Sequence, residues 1–269
     1  MSKILTTLLL TLWLSVGAAW AGDFEDGLAA ANKQDYVTAN KKFKIAAEKG
    51  NASAQLMLGL SYAAGLGVAQ DYAEAVRWYK FAAAQGDADA QTYLGKMYSN
   101  GHGVVQDYAE AVRWYKLAAA QGLALAQANL GYRYEIGRGV VQDYVEAVRW
   151  YELAAVQGLA LAQFNLALKY KNGLGVVQDY AEAVRWYKLA AAQGDSEAQT
   201  NLGAMYEKGQ GVVQDYTRAH MWLNLAAIKG DSILIENRDI VAKKMTTQQV
   251  AQAQKLAREC QARNFKNCD

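Results

Sequence analysis

The segment QDYAEAVRWYKLAAAQ, which runs from Gln106 to Gln121, recurs letter for letter from Gln178 to Gln193. The dipeptide Asp-Tyr within it belongs to a longer series with a constant step of 36 residues, at positions 35, 71, 107, 143, 179 and 215. A constant period of this length indicates an array of similar units, because an ordinary globular domain does not repeat its own sequence. The array therefore decides the fold of the 269-residue chain.

One unit, residues 51–86, contains two helices joined by a loop of the form G-x-G-V. The first helix is expected from about Ser53 to Ala64. The second begins after Asp71, and Glu74 three residues later completes a capping-box pattern at the helix N-terminus. Apolar residues of the second helix recur at i, i+3, i+4 and i+7, which builds one apolar face. The chain contains no proline, so the strongest helix breaker is missing.

A helix hairpin of this kind cannot bury its apolar face alone, so successive hairpins must stack. The sequence predicts an all-α fold, an α-solenoid in which antiparallel helix hairpins form a right-handed superhelix with a concave surface. A small residue also recurs inside the first helix, at Gly59, Gly95, Gly131, Ala167 and Gly203. Because glycine weakens a helix by about 0.5–1 kcal/mol relative to alanine, its recurrence predicts the close approach of a neighbouring helix.

The pattern A-x-A-Q-x-x-L-G-x-x-Y-x-x-G-x-G-V-x-x-D-Y-x-x-A-x-x-W-Y-x-x-A-A-x-x-G is similar to the Sel1-like repeat, a relative of the tetratricopeptide repeat. In the first unit it is carried by Ala52, Ala54, Gln55, Leu58, Gly59, Tyr62, Gly65, Gly67, Val68, Asp71, Tyr72, Ala75, Trp78, Tyr79, Ala82, Ala83 and Gly86. The five full repeats are 51–86, 87–122, 123–158, 159–194 and 195–230. The resemblance implies that the first helix of each repeat lines the concave surface and that the protein binds other proteins.

The two ends of the array differ from the repeats. Residues 22–50 resemble a partial tetratricopeptide hairpin without the long loop. Residues 231–269 are expected to form a helical cap, with one helix from Asp231 to about Lys244 and another after Thr246. Thr246 and Gln249 have the spacing of a second capping box.

Residues 1–21 have the pattern of an export signal. Lys3 supplies a positive charge, residues 4–16 are mostly apolar, and Ala19-Trp20-Ala21 fits the small-x-small cleavage rule. A membrane anchor is the alternative, although the apolar stretch is shorter than the ~20 residues that span a bilayer. We expect cleavage after Ala21, a periplasmic or secreted protein, and no membrane span in the mature chain.

The chain has two cysteines, Cys260 and Cys268. In an oxidising compartment they are expected to form a disulfide. A redox-active pair is the alternative, but their separation is not the C-x-x-C spacing that lowers a thiol pKa. Two thiolates are too few for a closed zinc site, so neither a metal nor a cofactor is expected.

Catalytic groups do not converge in the sequence. His102 lies in a glycine loop where other repeats carry Leu, Arg or Gln, and His220 replaces a helix valine. The motifs S-x-x-K and K-T-G are missing. The recurring Arg-Trp-Tyr triplets indicate core packing, since a ligand site is normally singular. With a formal net charge of +2 and no basic stripe with interleaved aromatics, a nucleic-acid partner is not expected.

Function is expected where the repeats differ. One position on the first helix holds, in order, Met57, Tyr93, Asn129, Asn165 and Asn201. Four residues on, a second variable position holds Ser61, Met97, Arg133, Lys169 and Met205. Asparagine amides can hydrogen-bond an extended peptide, and cations can attract a carboxylate. The predicted partner-binding residues are Asn129, Asn165, Asn201, Arg133, Lys169 and Tyr93.

The function that we expect is an exported scaffold or adaptor, and not an enzyme. It would bind a protein or peptide through the concave face, in the cell envelope or at a contact with a host cell, which is the range that the resemblance implies. An envelope enzyme directed at peptidoglycan or a β-lactam, as suggested for cysteine-rich relatives, is the alternative. A purely structural spacer, in which the polar stripe is only solvated, is a third. We expect a monomer.

Overall fold

The structure, a computed structural model, describes residues 22–266 and Cys268. Every regular element of the described residues is a helix. In chain order they are α1 (22–32), α2 (Tyr36–Glu48), α3 (Ala52–Ala64), α4 (Tyr72–Ala84), α5 (Ala88–Asn100), α6 (Tyr108–Ala120), α7 (Ala124–Ile136), α8 (Tyr144–Val156), α9 (Ala160–Asn172), α10 (Tyr180–Ala191), α11 (Ser196–Lys208), α12 (Tyr216–Ala226), a short 3₁₀ helix (Ala227–Lys229), α13 (Ser232–Ala242) and α14 (Thr247–Ala262).

The chain divides into two compact units with the boundary inside α7, one ending at Ala126 and the other beginning at Gln127. In the first unit α2 packs on α3, α3 on α4, α4 on α5 and α5 on α6. In the second unit α8 packs on α9, α9 on α10, α10 on α11 and α11 on α12. Each helix thus packs mainly on its neighbours in sequence, which confirms the predicted all-α solenoid of helix pairs.

Three glycines inside the first helices, Gly59, Gly95 and Gly131, lie against a tyrosine ring of the second helix, whereas Gly203 lies against Leu223. A Cβ atom at Gly59 would be 2.6 Å from the ring of Tyr79, and one at Gly95 would be 2.7 Å from the ring of Tyr115. Both tyrosines are fully buried. The predicted close approach is confirmed, and in the repeats that carry the Arg-Trp-Tyr triplet and the glycine its cause is the tyrosine of that triplet.

At the N-terminus of the second helix, only the aspartate half of the predicted capping box forms. The Asp71 carboxylate accepts hydrogen bonds from the backbone N–H of Ala73 and of Glu74, at 2.9 and 3.0 Å. The Asp71 N–H itself donates to the carbonyl of Tyr62 at 3.0 Å, so it is not available to the Glu74 side chain. Glu74 instead forms an ion pair with Arg77 at 3.1 Å. The reciprocal half of the prediction was wrong for this reason.

A buried glutamine fixes α9 between its neighbours. Gln163 of α9 donates from Nε2 to the carbonyl of Ala155 in α8 at 3.1 Å. Its Oε1 accepts from Gln193, which follows α10, at 2.9 Å. Because buried polar groups must be paired, these bonds define the position of α9 relative to α8 and α10.

The C-terminal residues form the expected helices. Thr246 Oγ1 accepts from the Gln249 N–H at 3.2 Å, and Gln249 Oε1 accepts from the Thr246 N–H at 2.9 Å, so the second capping box is confirmed. Cys260 and Cys268 form a disulfide with their Cα atoms 5.0 Å apart, which confirms that pairing. Cys260 is fully buried on α14, which packs against α12.

Candidate binding pocket

The two variable positions of the first helices differ in burial. The first position is half-buried in all five repeats. The second is buried in four repeats, and Arg133 is the half-buried exception. The second position is therefore mainly part of the core, whereas the first reaches the surface. A shift of four residues rotates a side chain by about 40° around a helix, which is enough to carry it beneath a neighbouring helix.

Lys169 lies in a buried polar cluster. Its side chain is 3% exposed, and its Nζ pairs with the carboxylate of Glu135. The same carboxylate accepts a hydrogen bond from the Tyr151 hydroxyl at 2.7 Å. Burial, reinforced by the Glu135 charge, raises the pKa of Tyr151 above its ordinary value, so Tyr151 remains the donor. The Lys169 charge is neutralised inside the protein.

Three further residues of the predicted site also have partners within the chain. Asn201 Oδ1 accepts from Lys171 Nζ at 2.9 Å, and its Nδ2 donates to the Glu197 carbonyl at 2.9 Å. The Arg133 guanidinium lies over the ring of Tyr132, 5.3 Å from its centroid. Tyr93, in the first unit, stacks on Tyr79 with 5.5 Å between the ring centroids.

Asn129 and Asn165 share one pocket of the second unit. The pocket has a volume of about 560 Å³, within the range of roughly 300–1,000 Å³ typical of ligand sites. Its walls come from α7, α9, and the loop and first turn at the start of α11. The lining residues are Ala128, Asn129, Tyr132, Leu161, Phe164, Asn165, Gly194, Asp195, Ser196 and Glu197.

The amides of Asn129 and Asn165 are not hydrogen-bonded to any other residue that the structure describes. Both residues are half-buried, so the pocket presents two donor–acceptor pairs that only solvent or a ligand can satisfy. Phe164 forms the apolar base, 9% exposed, and packs against Tyr187 with ring centroids 5.9 Å apart. The pocket combines an apolar base with two free amides, the usual composition of a recognition site.

Sequence reasoning missed Leu161, Phe164, Asp195 and Glu197 as pocket residues. A signal for this region was present, since two polar positions at the start of the first helix become leucine in the third and fourth repeats. The first position holds Asn51, Asp87, Leu123, Leu159 and Asp195, and the second holds Ser53, Asp89, Leu125, Leu161 and Glu197. Leu159 leaves α9 without a side-chain cap, whereas Asp195 caps α11 by accepting from the Ala198 N–H at 2.8 Å.

The histidines lie apart from this pocket. His102 is exposed and stacks on Tyr72, with 4.7 Å between the ring centroids. His220 on α12 is 2% exposed, and its Nδ1 has no hydrogen-bond partner among the described residues. No group of three or more His, Cys, Asp or Glu side chains in residues 22–266 is placed to hold a metal ion.

The predicted export signal, residues 1–21, lies outside the described residues. In the part of the chain that is described, no helix is both long and apolar enough to cross a bilayer.

A model of the Sel1 repeat family matches residues 52–87, 88–123, 124–159, 160–195 and 196–231. Each match begins one residue after the boundary expected from the sequence. No curated protein sequence matches the chain.

Among solved structures, the chain is similar to a Sel1 repeat protein from Oxalobacter formigenes, at 35% identity over 79% of this chain and 88% of that one, with a TM-score of 0.73. A sel1 repeat protein from Klebsiella pneumoniae subsp. pneumoniae is 24% identical over 76% of this chain and 99% of that one, with a TM-score of 0.50. Immunity protein Pa5087 from Pseudomonas aeruginosa is 20% identical over 82% of this chain and 83% of that one, with a TM-score of 0.49. At 24% identity, the likeness to the Klebsiella pneumoniae protein concerns the fold alone.

Proposed function

The chain belongs to the Sel1 repeat family, and we propose that it is a scaffold that binds an extended segment of a partner protein in the pocket between α7, α9 and α11. Solenoids of helix hairpins present extended binding surfaces of this type. The pocket lies on the first helices of three consecutive repeats, the helices that the resemblance to the Sel1-like repeat places on the concave face. Its volume suits a few residues of a peptide and is too small for a folded domain.

The observation that carries the proposal is the pair of free amides at Asn129 and Asn165. A side-chain amide can donate to one backbone carbonyl and accept from one backbone N–H, so two amides on neighbouring repeats suit an extended chain. Asn201 occupies the equivalent position one repeat later, but its two existing hydrogen bonds would have to break first. Lys169 would likewise have to leave Glu135. Within the predicted residues, we therefore assign the main binding role to Asn129 and Asn165.

A peptide selection tests this function. A displayed library of random 12-residue peptides would be selected on the purified protein, and the enriched peptides synthesised for affinity measurements by fluorescence anisotropy. We expect Asn129→Ala/Asn165→Ala to weaken binding by about tenfold or more, since each lost hydrogen bond contributes about 0.5–1.5 kcal/mol. The control is Asn172→Ala, an exposed asparagine on α9 outside the pocket. Failure of the library to enrich any binder, or equal affinity for the double variant, would contradict the proposal.

We also propose that this scaffold acts outside the cytoplasm, in the periplasm, at the cell envelope or in contact with a host cell. The support is the signal-like pattern of residues 1–21 together with the Cys260–Cys268 disulfide, since disulfides persist in oxidising compartments. The intact mass of protein recovered from the periplasm or the medium checks this. We expect the mass of residues 22–269 minus the two hydrogen atoms that are lost when the disulfide forms. Recovery of the protein only from the cytoplasm, with residues 1–21 still attached, would contradict the proposal.

A further inference from the structure

The charged side chains that line the pocket are both acidic. Asp195 and Glu197 stand at the start of α11, and no basic residue is among the lining residues. Neither carboxylate has an ion-pair partner among the described residues. Glu197 is exposed, and Asp195 uses one oxygen to cap α11. One wall of the pocket therefore carries negative charge that the chain itself does not neutralise.

None of the cations on α7 and α9 lines the pocket. Lys169 is buried against Glu135, and Lys171 donates to Asn201. The Arg133 guanidinium lies over the Tyr132 ring of α7 and is not among the residues that line the pocket. A ligand carboxylate beside Asp195 and Glu197 would meet like charge, which is unfavourable, whereas a ligand cation there would gain two opposite charges.

The opposite side of the pocket is apolar. Ala128 and Phe164 are buried, while Leu161 is 49% exposed. Leucine at this position replaces the Ser, Asp or Glu of three other repeats. Leu161 lies in the first turn of α9, the helix that has no side-chain cap, and about half of its side chain stays exposed in the free protein. It offers apolar area to a ligand, which gains about 25 cal/mol for each Å² that is buried.

We infer that the pocket selects a segment with a large apolar side chain followed or preceded closely by a lysine or arginine. The apolar side chain packs on Leu161 and Phe164, the backbone pairs with Asn129 and Asn165, and the cation faces Asp195 and Glu197. This selectivity depends on the proposed peptide-binding function. The preferred ligand charge is positive, whereas the sequence predicts recognition of a negatively charged carboxylate by Arg133 and Lys169.

Two matched sets of peptides test the preference for a cation separately from peptide binding itself. The sets share a central Trp-Leu pair and differ in the flanking residues, which are arginine in one set and glutamate in the other. We expect the arginine set to bind about tenfold more tightly, the effect of about 1.4 kcal/mol at room temperature. The preference should shrink as NaCl is raised from 50 to 500 mM, because salt screens partly exposed charges.

The variants assign the preference to residues. Asp195→Asn/Glu197→Gln should remove most of the arginine preference and keep α11 capped, since asparagine is also a good N-cap. Glu236→Gln, which removes an exposed charge of α13 outside the pocket, should leave the preference unchanged.

Three outcomes count against these claims. Equal or tighter binding of the glutamate set, with Asn129→Ala/Asn165→Ala still weakening both sets, would overturn the charge inference and leave the proposed function standing. An arginine preference that survives Asp195→Asn/Glu197→Gln would overturn the inference in the same way. Binding that ignores Asn129→Ala/Asn165→Ala, or no binding of either set at 1 mM peptide, would overturn the proposed function itself.

Discussion

At the scale of single residues, the second glycine of each G-x-G loop is fixed by contact with the preceding repeat. Gly103 has a φ of +69°, and a Cβ atom there would lie 2.3 Å from the backbone oxygen of Tyr72. We predict that Gly103→Ala lowers the free energy of unfolding by roughly 2–4 kcal/mol, from left-handed strain together with the forced displacement of backbone.

The matched control for this substitution is Gly86→Ala. Gly86 also has a positive φ, +92°, but a Cβ atom there would meet nothing within 4 Å. Only the strain remains, so a loss of roughly 1–2 kcal/mol is expected. Urea unfolding of both variants checks the difference, and equal losses would show that the contact with Tyr72 is unimportant.

Burial of His220 makes stability depend on pH. Burial and, secondarily, Arg238 lower the pKa of His220, while Asp239 opposes them. The unfolded chain, with an ordinary pKa of about 6.5, therefore binds more protons than the folded chain below that pH. Stability is complete above pH 6.5 and falls as the pH drops between 6.5 and the folded-state pKa, by up to about 1.4 kcal/mol per pH unit.

His220→Val isolates this effect because valine occupies the equivalent position in the four preceding repeats. Thermal unfolding would be followed between pH 7.5 and pH 5.0. The wild-type midpoint should fall more steeply than that of the variant, since the carboxylates titrate in both proteins. Parallel pH profiles would contradict the prediction.

At the scale of elements, α9 has no side-chain cap at its N-terminus, and a single substitution can supply one. Leu159→Asp places an aspartate where other first helices have one, and a capping hydrogen bond contributes about 0.5–2 kcal/mol. We predict a higher midpoint of urea unfolding for Leu159→Asp than for Leu159→Ala, which removes the leucine without adding a cap. No difference between the two variants would mean that α9 begins differently from α11.

The C-terminal disulfide ties the tail at Cys268 to α14, the helix that packs against α12. Closing a loop of this length stabilises by roughly 2–3 kcal/mol in the chain-entropy model. A dithiol reductant should therefore lower the thermal midpoint of the wild type and leave Cys268→Ser unaffected. Thiol titration in denaturant should find none before reduction and two after it. Two reactive thiols in the unreduced protein would contradict the pairing.

The sequence could predict those features of the helices that depend on residues close together in the chain. Helix starts at Asp71 and Thr246 follow from capping residues within four positions, and both were predicted. The predicted contribution of Glu74 was wrong, because the Asp71 N–H donates instead to the Tyr62 carbonyl, a partner that only the fold supplies. The close approach at Gly59 was predictable as a need for space, but the ring of Tyr79 that fills it was not identified.

At the scale of the whole molecule, the 36-residue period was sufficient to predict the fold, because each repeat solves the same packing problem. The pocket was only partly predictable. Asn129 and Asn165 were identified as variable residues, but Lys169 and Asn201 share the same pattern and are engaged by Glu135 and Lys171. A pattern along one helix shows which positions vary, and only packing between repeats shows which of them remain free.

We propose that the free amides of Asn129 and Asn165 receive the ligand. The most direct measurement is nuclear magnetic resonance of the side-chain amide groups of ¹⁵N-labelled protein during titration with a selected peptide. A ligand site at Asn129 and Asn165 predicts the largest shifts at their side chains, with little change at Asn172. Saturable binding that leaves these two amide signals in place and shifts resonances elsewhere would contradict it.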